Sequence, residues 1–136
     1  MRTYLSRNLL TLLIALIGLL SVPASTQAAA TQWEQVKNGF IRELDKQLDG
    51  SAQRRELFPD ISLHASVKTR LMITVSAVTW QDTFEQREYM LKALRGLWVQ
   101  HCGPHSPDRK RCMIQVHDPR GRFVGGSDDT GRLSVR

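Results

Sequence analysis

From Leu63 to Val78 the chain alternates. Leu63, Ala65, Val67, Thr69, Leu71, Ile73, Val75 and Ala77 hold one parity; His64, Ser66, Lys68, Arg70, Thr74 and Ser76 hold the other. A period of two, rich in β-branched residues, predicts a strand with one dry face and one wet face. Met72 and Val78 break the polar parity. So long a strand calls for a bend or a hairpin-like break near one end. Its dry face must be covered, and this limits the fold to architectures that bring apolar helix stripes against a sheet.

Two segments supply such stripes. In residues 33–48, Trp33, Val36, Phe40, Leu44 and Leu48 recur at spacings of three and four, and Gly50 follows as a stop. Gly39 weakens that helix by about 1 kcal/mol relative to Ala. In residues 82–102 the stripe is Met90, Leu91, Leu94, Leu97 and Trp98. Asp82 with Glu85, or Thr83 with Gln86, completes a capping box at its start. Glu88 and Lys92 form an i,i+4 pair in the favourable order. Residues 51–62 are polar and read as a connection, with Pro59 fixing its exit.

After Gly103-Pro104 the chain reads as a loop to residue 111, then a short strand over residues 112–117 with Met113, Ile114 and Val116. Asp118-Pro119-Arg120-Gly121 has turn composition. Phe123 and Val124 begin a return strand, and Gly125-Gly126-Ser127-Asp128-Asp129 breaks it. Gly131 to Arg136 is either a further short strand through Leu133 and Val135 or a disordered tail. No internal repeat is visible. The expected fold is a small α+β domain of order α-β-α-β-β. Its two layers are helices on one face of a mixed or antiparallel sheet, with a crossover from 63–78 to 112–117 that could be parallel and right-handed.

The first thirty residues stand apart. Arg2 and Arg7 precede an apolar run from Leu9 to Val22, and Pro23 and the small run Ala28-Ala29-Ala30 follow. Charge, apolar core and small residues in that order predict a secretory signal peptide over residues 1–30, cut after Ala30 or Ala28. The rival, a membrane anchor, needs about 20 apolar residues, and Pro23 stops this run short. Residues 31–136 then form one domain with no stable membrane span, periplasmic or secreted. Loss of Arg2 and Arg7 takes the formal charge from +6 to +4. This is mild, and nucleic-acid binding calls for a broader basic stripe with stacking aromatics. The one dense basic cluster is Arg109-Lys110-Arg111.

Export puts Cys102 and Cys112 in an oxidising compartment, where a disulfide is the default. In the chain-entropy picture so short a loop stabilises by roughly 2.5–3 kcal/mol. The alternative use of the same residues is a zinc site of His101, Cys102, His105 and Cys112, which requires both thiolates. His101 falls on the helix stripe and reads as a partly buried, hydrogen-bonded histidine. His117 and Asp118, as strand neighbours, point to opposite faces, and Asp118 reads as the first turn residue. Residues 125–129 lack the regular order of a calcium loop. Serine-nucleophile, zinc-protease and phosphate-loop motifs do not occur, and no cofactor is expected.

Trp33 and Trp98 read as core. Trp80 is either a lid on the helix start or an exposed anchor for a partner. The wet side of 64–76, with His64, Lys68 and Arg70, and the 109–111 loop are the candidate contact surfaces. The expectation is an exported, non-enzymatic binding or accessory module of the cell envelope, with an unknown protein or acidic envelope component as partner. The alternative is a small exported hydrolase or metal-handling protein using His101, Cys102, His105 and Cys112.

Overall fold

A computed structural model describes residues 24–80 and 83–136, with side chains from residue 32 onward. The leader expected over residues 1–30 therefore lies outside the described residues, apart from the backbone of 24–30. Two compact units divide the chain, residues 1–32 and 33–136. The second is a mixed α+β domain. Helices α1 (Ala24–Gln47) and α2 (Ser51–Leu57) come first, then β1 (Asp60–Leu63) and β2 (Arg70–Thr74). Short α3 (Ala77–Trp80) and long α4 (Phe84–Cys102) lead to β3 (Met113–His117), β4 (Phe123–Ser127) and β5 (Leu133–Val135). The sheet runs in chain order, β1-β2-β3-β4-β5. Only the β2–β3 pair is parallel, as expected of strands joined through a helix.

The expected stripes are buried. Val36, Phe40 and Leu44 of α1 join Leu91, Leu94, Leu97 and Trp98 of α4 in the core, with Trp33, Leu48 and Met90 packed at its margin. Opposite them lie Leu71, Ile73, Val75, Ile114 and Val116, each almost fully buried. Phe40 and Trp98 meet edge to face at 5.8 Å, a favoured aromatic geometry. Thr83 caps α4. Its hydroxyl accepts from Gln86 N at 3.3 Å while its own N–H donates to Gln86 Oε1 at 3.1 Å. Asp82, the other candidate cap, lies outside the described residues. The Glu88–Lys92 pair closes at 3.0 Å.

The alternating segment is corrected in one respect. It is not one strand but the end of β1, a turn and β2, and the expected hairpin-like break lies near its start, over residues 64–69. Ile61 pairs with Ile73 and Leu63 with Leu71. Between them His64 turns the chain, its Nδ1 accepting from Val67 N at 3.0 Å and Ser66 N at 3.2 Å. Beyond Val75 the chain starts α3, where Ser76 Oγ accepts from Thr79 N at 3.3 Å. Residues 51–57, read as a connection, are helical. A single buried charge explains how so polar a segment is held: Arg54, 9% exposed, pairs with Asp45 at 2.8 Å and donates to the Phe58 carbonyl. A charge out of water needs such partners.

The C-terminal third carries two further corrections. Gly125 and Gly126 do not end the strand but lie within β4. A Cβ on Gly126 would stand 2.5 Å from the Ile114 carbonyl oxygen, so backbone approaches backbone here as no other residue permits. The tail is ordered as β5, paired with β4 from Leu133 to Val135. The turn between them repeats the turn before β4. Asp118-x-x-Gly121-Arg122 and Asp128-x-x-Gly131-Arg132 share one design. In each, the Asp Oδ1 accepts from the second and fourth following N–H groups at 2.9 Å, and the glycine has positive φ, 81° and 84°. This five-residue turn is an internal repeat.

Candidate binding surface

Cys102, at the end of α4, is joined by a disulfide to Cys112, at the entry to β3, with Cα atoms 6.0 Å apart. Both are fully buried. The bridge closes residues 103–111 into a short loop of two 3-10 turns, Gly103–His105 and Arg109–Arg111. Asp108 caps the second by accepting from Lys110 N at 3.0 Å. With the sulfurs bonded to each other, Cys102 and Cys112 offer no thiolates. His101 turns to Phe40 and His105 to Trp33, edge to face at 6.5 and 6.2 Å. Among the described residues no three His, Cys, Asp or Glu side chains come together as a metal would require.

The three basic residues of the loop are exposed but do not act as one patch. Arg109 lies along Gly103. Arg111 lines a cavity of about 610 Å³ together with residues of β2, β3 and β4. Arg70, at the start of β2 and paired in register with Met113, lines the same cavity. The two surfaces singled out in the sequence thus meet at one place. Lys68 stays exposed on the turn, and His64 is occupied by that turn. Met113, Gln115 and Phe123 line it as well, and so do the acidic Asp128 and Asp129. Among the described residues Arg70 and Arg111 make no ion pair.

Asp128 is already engaged. The Thr130 hydroxyl donates to it at 2.6 Å, and the Arg132 and Thr130 N–H groups add to this, holding its carboxyl below the usual range. Asp118 is lowered likewise, first by the Arg122 N–H, then by the Arg122 side chain and the Arg120 N–H. Asp118 is thus the opening residue of its turn. Its neighbour His117 faces Gln115 (3.3 Å) and Phe123 (6.2 Å), so the two form no acid–base couple.

Trp80 has the packed arrangement of its two alternatives: it is 8% exposed and belongs to the core cluster. Its ring carries the Arg87 guanidinium 5.3 Å above the centroid. This face opens on a second cavity of about 690 Å³, lined also by Arg120, Arg122, Phe123 and Arg136. Sequence reasoning missed these arginines. They are scattered singly over fifty residues, and only the repeated turn, which sets Arg122 beside β4, marks any of them.

Comparison with family models, with curated proteins and with solved structures gives no match. Among the described residues no helix is long and apolar enough to cross a membrane.

Proposed function

We propose that the chain is an exported, non-enzymatic binding module of the cell envelope, periplasmic or secreted, that docks an acidic partner. The supporting observation is a contrast in how its cations are used. On the helices lysines sit beside glutamates: Lys37 with Glu34, Lys46 with Glu43, Lys92 with Glu88. In the cavity they share, Arg70 and Arg111 stand without a carboxylate closing on them. Arg111 belongs to a loop pinned by the disulfide, which lowers the ordering cost of a contact there. Arg109 and Lys110 would add attraction at longer range, raising the encounter rate and fading with salt. Asp128 and Asp129 would repel an acidic segment and so orient it over Arg70 and Arg111.

Retention on immobilised polyglutamate tests the reading. The oxidised protein should be held at low ionic strength and released as salt rises toward about 0.15 M. Replacing Arg70, Arg109, Lys110 and Arg111 together with Ser should abolish retention and leave the circular dichroism unchanged. Equal retention by that variant would exclude this surface. Export has its own test. Intact mass of protein recovered outside the cytoplasm should give a start at Thr31 or Ala29, and full-length chain in the membrane fraction would contradict removal of the leader.

A further inference from the structure

We propose that the cavity between Trp80 and Phe123 is a second and separate site, built for a phosphate monoester. It shares only Phe123 with the first cavity. Four arginines line it from three parts of the fold: Arg87 from α4, Arg120 and Arg122 from the turn before β4, and Arg136 after β5. One side-chain carboxylate lines it, Asp118, and it is spent locally. Its Oδ2 accepts from Arg122 Nε at 3.0 Å, and its Oδ1 takes the Arg120 and Arg122 N–H groups. That pairs Arg122 and leaves Arg87, Arg120 and Arg136 without a carboxylate side chain among the described residues.

Two of the three are already placed. Arg87 lies over Trp80, and its Nη1 donates to the Arg136 carbonyl at 3.4 Å. Arg136 lies 5.5 Å over the Phe123 ring centroid. A guanidinium held over a ring has already lost rotamer freedom, so less is lost when an anion arrives. The Arg87 Nε is buried with no acceptor, a costly state for a charged donor. Arg120 is exposed, and its side chain has no carboxylate partner among the described residues.

The arrangement selects among anions. A planar carboxylate is satisfied by one guanidinium fork. Several arginines lining one cavity from three parts of the fold suit a tetrahedral group with three terminal oxygens and nearly two charges near neutral pH. Trp80, Phe123, Val124 and Ala77 give the cavity an apolar side, which would accept the carbon portion of the ester. That portion could come from a small soluble phosphoester or from the headgroup region of a phosphatidic acid.

Titration calorimetry on the oxidised protein separates the cases. Glycerol 3-phosphate and inorganic phosphate should bind saturably, with acetate at least about tenfold weaker. Arg120→Gln, which touches no core residue, should weaken phosphate binding about tenfold, as loss of one charge-assisted hydrogen bond does, with the melting temperature unchanged. Arg111→Ser should leave phosphate binding intact, so failure of the polyglutamate surface and failure of this site are told apart. Sedimentation with vesicles of phosphatidic acid in phosphatidylcholine distinguishes the source. Vesicle binding lost in Arg120→Gln, with weak soluble binding, marks the lipid, and the reverse marks a free ester. Absence of saturable binding in both arms, acetate as good as phosphate, or an unaffected Arg120→Gln protein would each overturn the proposal.

Discussion

The indole N–H of Trp98 donates to the carbonyl of Thr69 at 2.8 Å. A side chain in the middle of α4 thereby grips the backbone just before β2. Thr69 is held from its other side by register, since its carbonyl also accepts from Met113 N at 3.0 Å. One oxygen thus ties the long helix, the hairpin turn and the third strand together.

Trp98→Phe keeps most of the apolar contact and deletes one donor to that oxygen. The expected loss is about 1–1.5 kcal/mol, because Met113 N still satisfies the carbonyl in part. Leu94→Ala, which leaves a cavity under the same helix, should cost about 2–5 kcal/mol. Urea unfolding measures both. Equal small losses would mean that α4 does not carry the packing assigned to it.

Gly126→Ala places a methyl against the Ile114 carbonyl and should destabilise by about 1–3 kcal/mol, as overpacking does. Gly96→Ala is the contrast. It lies in α4 with nothing within 4 Å of the added carbon, and should stabilise by about 0.5–1 kcal/mol through helix propensity. Opposite signs in thermal melts of the two variants are the expected result.

Asp118 and Asp128 both titrate below their ordinary value of 3.8 in the folded chain. The unfolded state therefore binds protons first as pH falls. Their contribution is fully present above the unfolded pKa and is lost as pH drops through the folded one, in the window below about pH 4. Asp128 is exposed and Asp118 half-buried, both in surface turns, so the effect is modest. Asp118→Asn with Asp128→Asn keeps the Oδ1 acceptors of the turns, removes the charges and the Arg122 bond to Asp118 Oδ2, and should flatten the decline of melting temperature below that pH.

Replacing Cys102 and Cys112 with Ser should cost roughly 2.5–3 kcal/mol if the constraint acts on the unfolded chain. Reduction of the wild-type protein should cost the same, read as a lower urea midpoint in the presence of a thiol. A reduced protein as stable as the oxidised one would show that packing of residues 103–111 suffices.

How legible all this was depended on whether a signal was local. The α4 stripe, its Thr83–Gln86 cap and the 63–78 parity at Leu71, Ile73 and Val75 are periodic, and the structure has them. The hairpin-like break expected near one end falls at 64–69; its exact place is hidden because Ala65, Val67 and Thr69 keep the parity while His64 turns the backbone with one nitrogen. The helix at 51–57 was invisible because what anchors it, the Arg54–Asp45 pair, is tertiary. At residues 125–127 composition points to a break because glycine commonly ends strands, while the reason for Gly126 here is the approach of Ile114 from another strand. The Asp-x-x-Gly-Arg repeat was in plain view and would have predicted the β4–β5 hairpin. Arg70 and Arg111 were each noticed, and only the parallel β2–β3 register could bring them to one cavity.

Because the strands stand in the sheet in the order in which they occur in the chain, each one has its template waiting when it arrives. β2 finds β1, β3 finds β2, and so on to β5, with no strand inserted later between two earlier ones. A polypeptide emerging N-terminus first from a ribosome or a translocation channel could therefore extend this sheet one edge at a time. At every stage one growing edge would await its next neighbour, with β5 the last of the five strands to arrive.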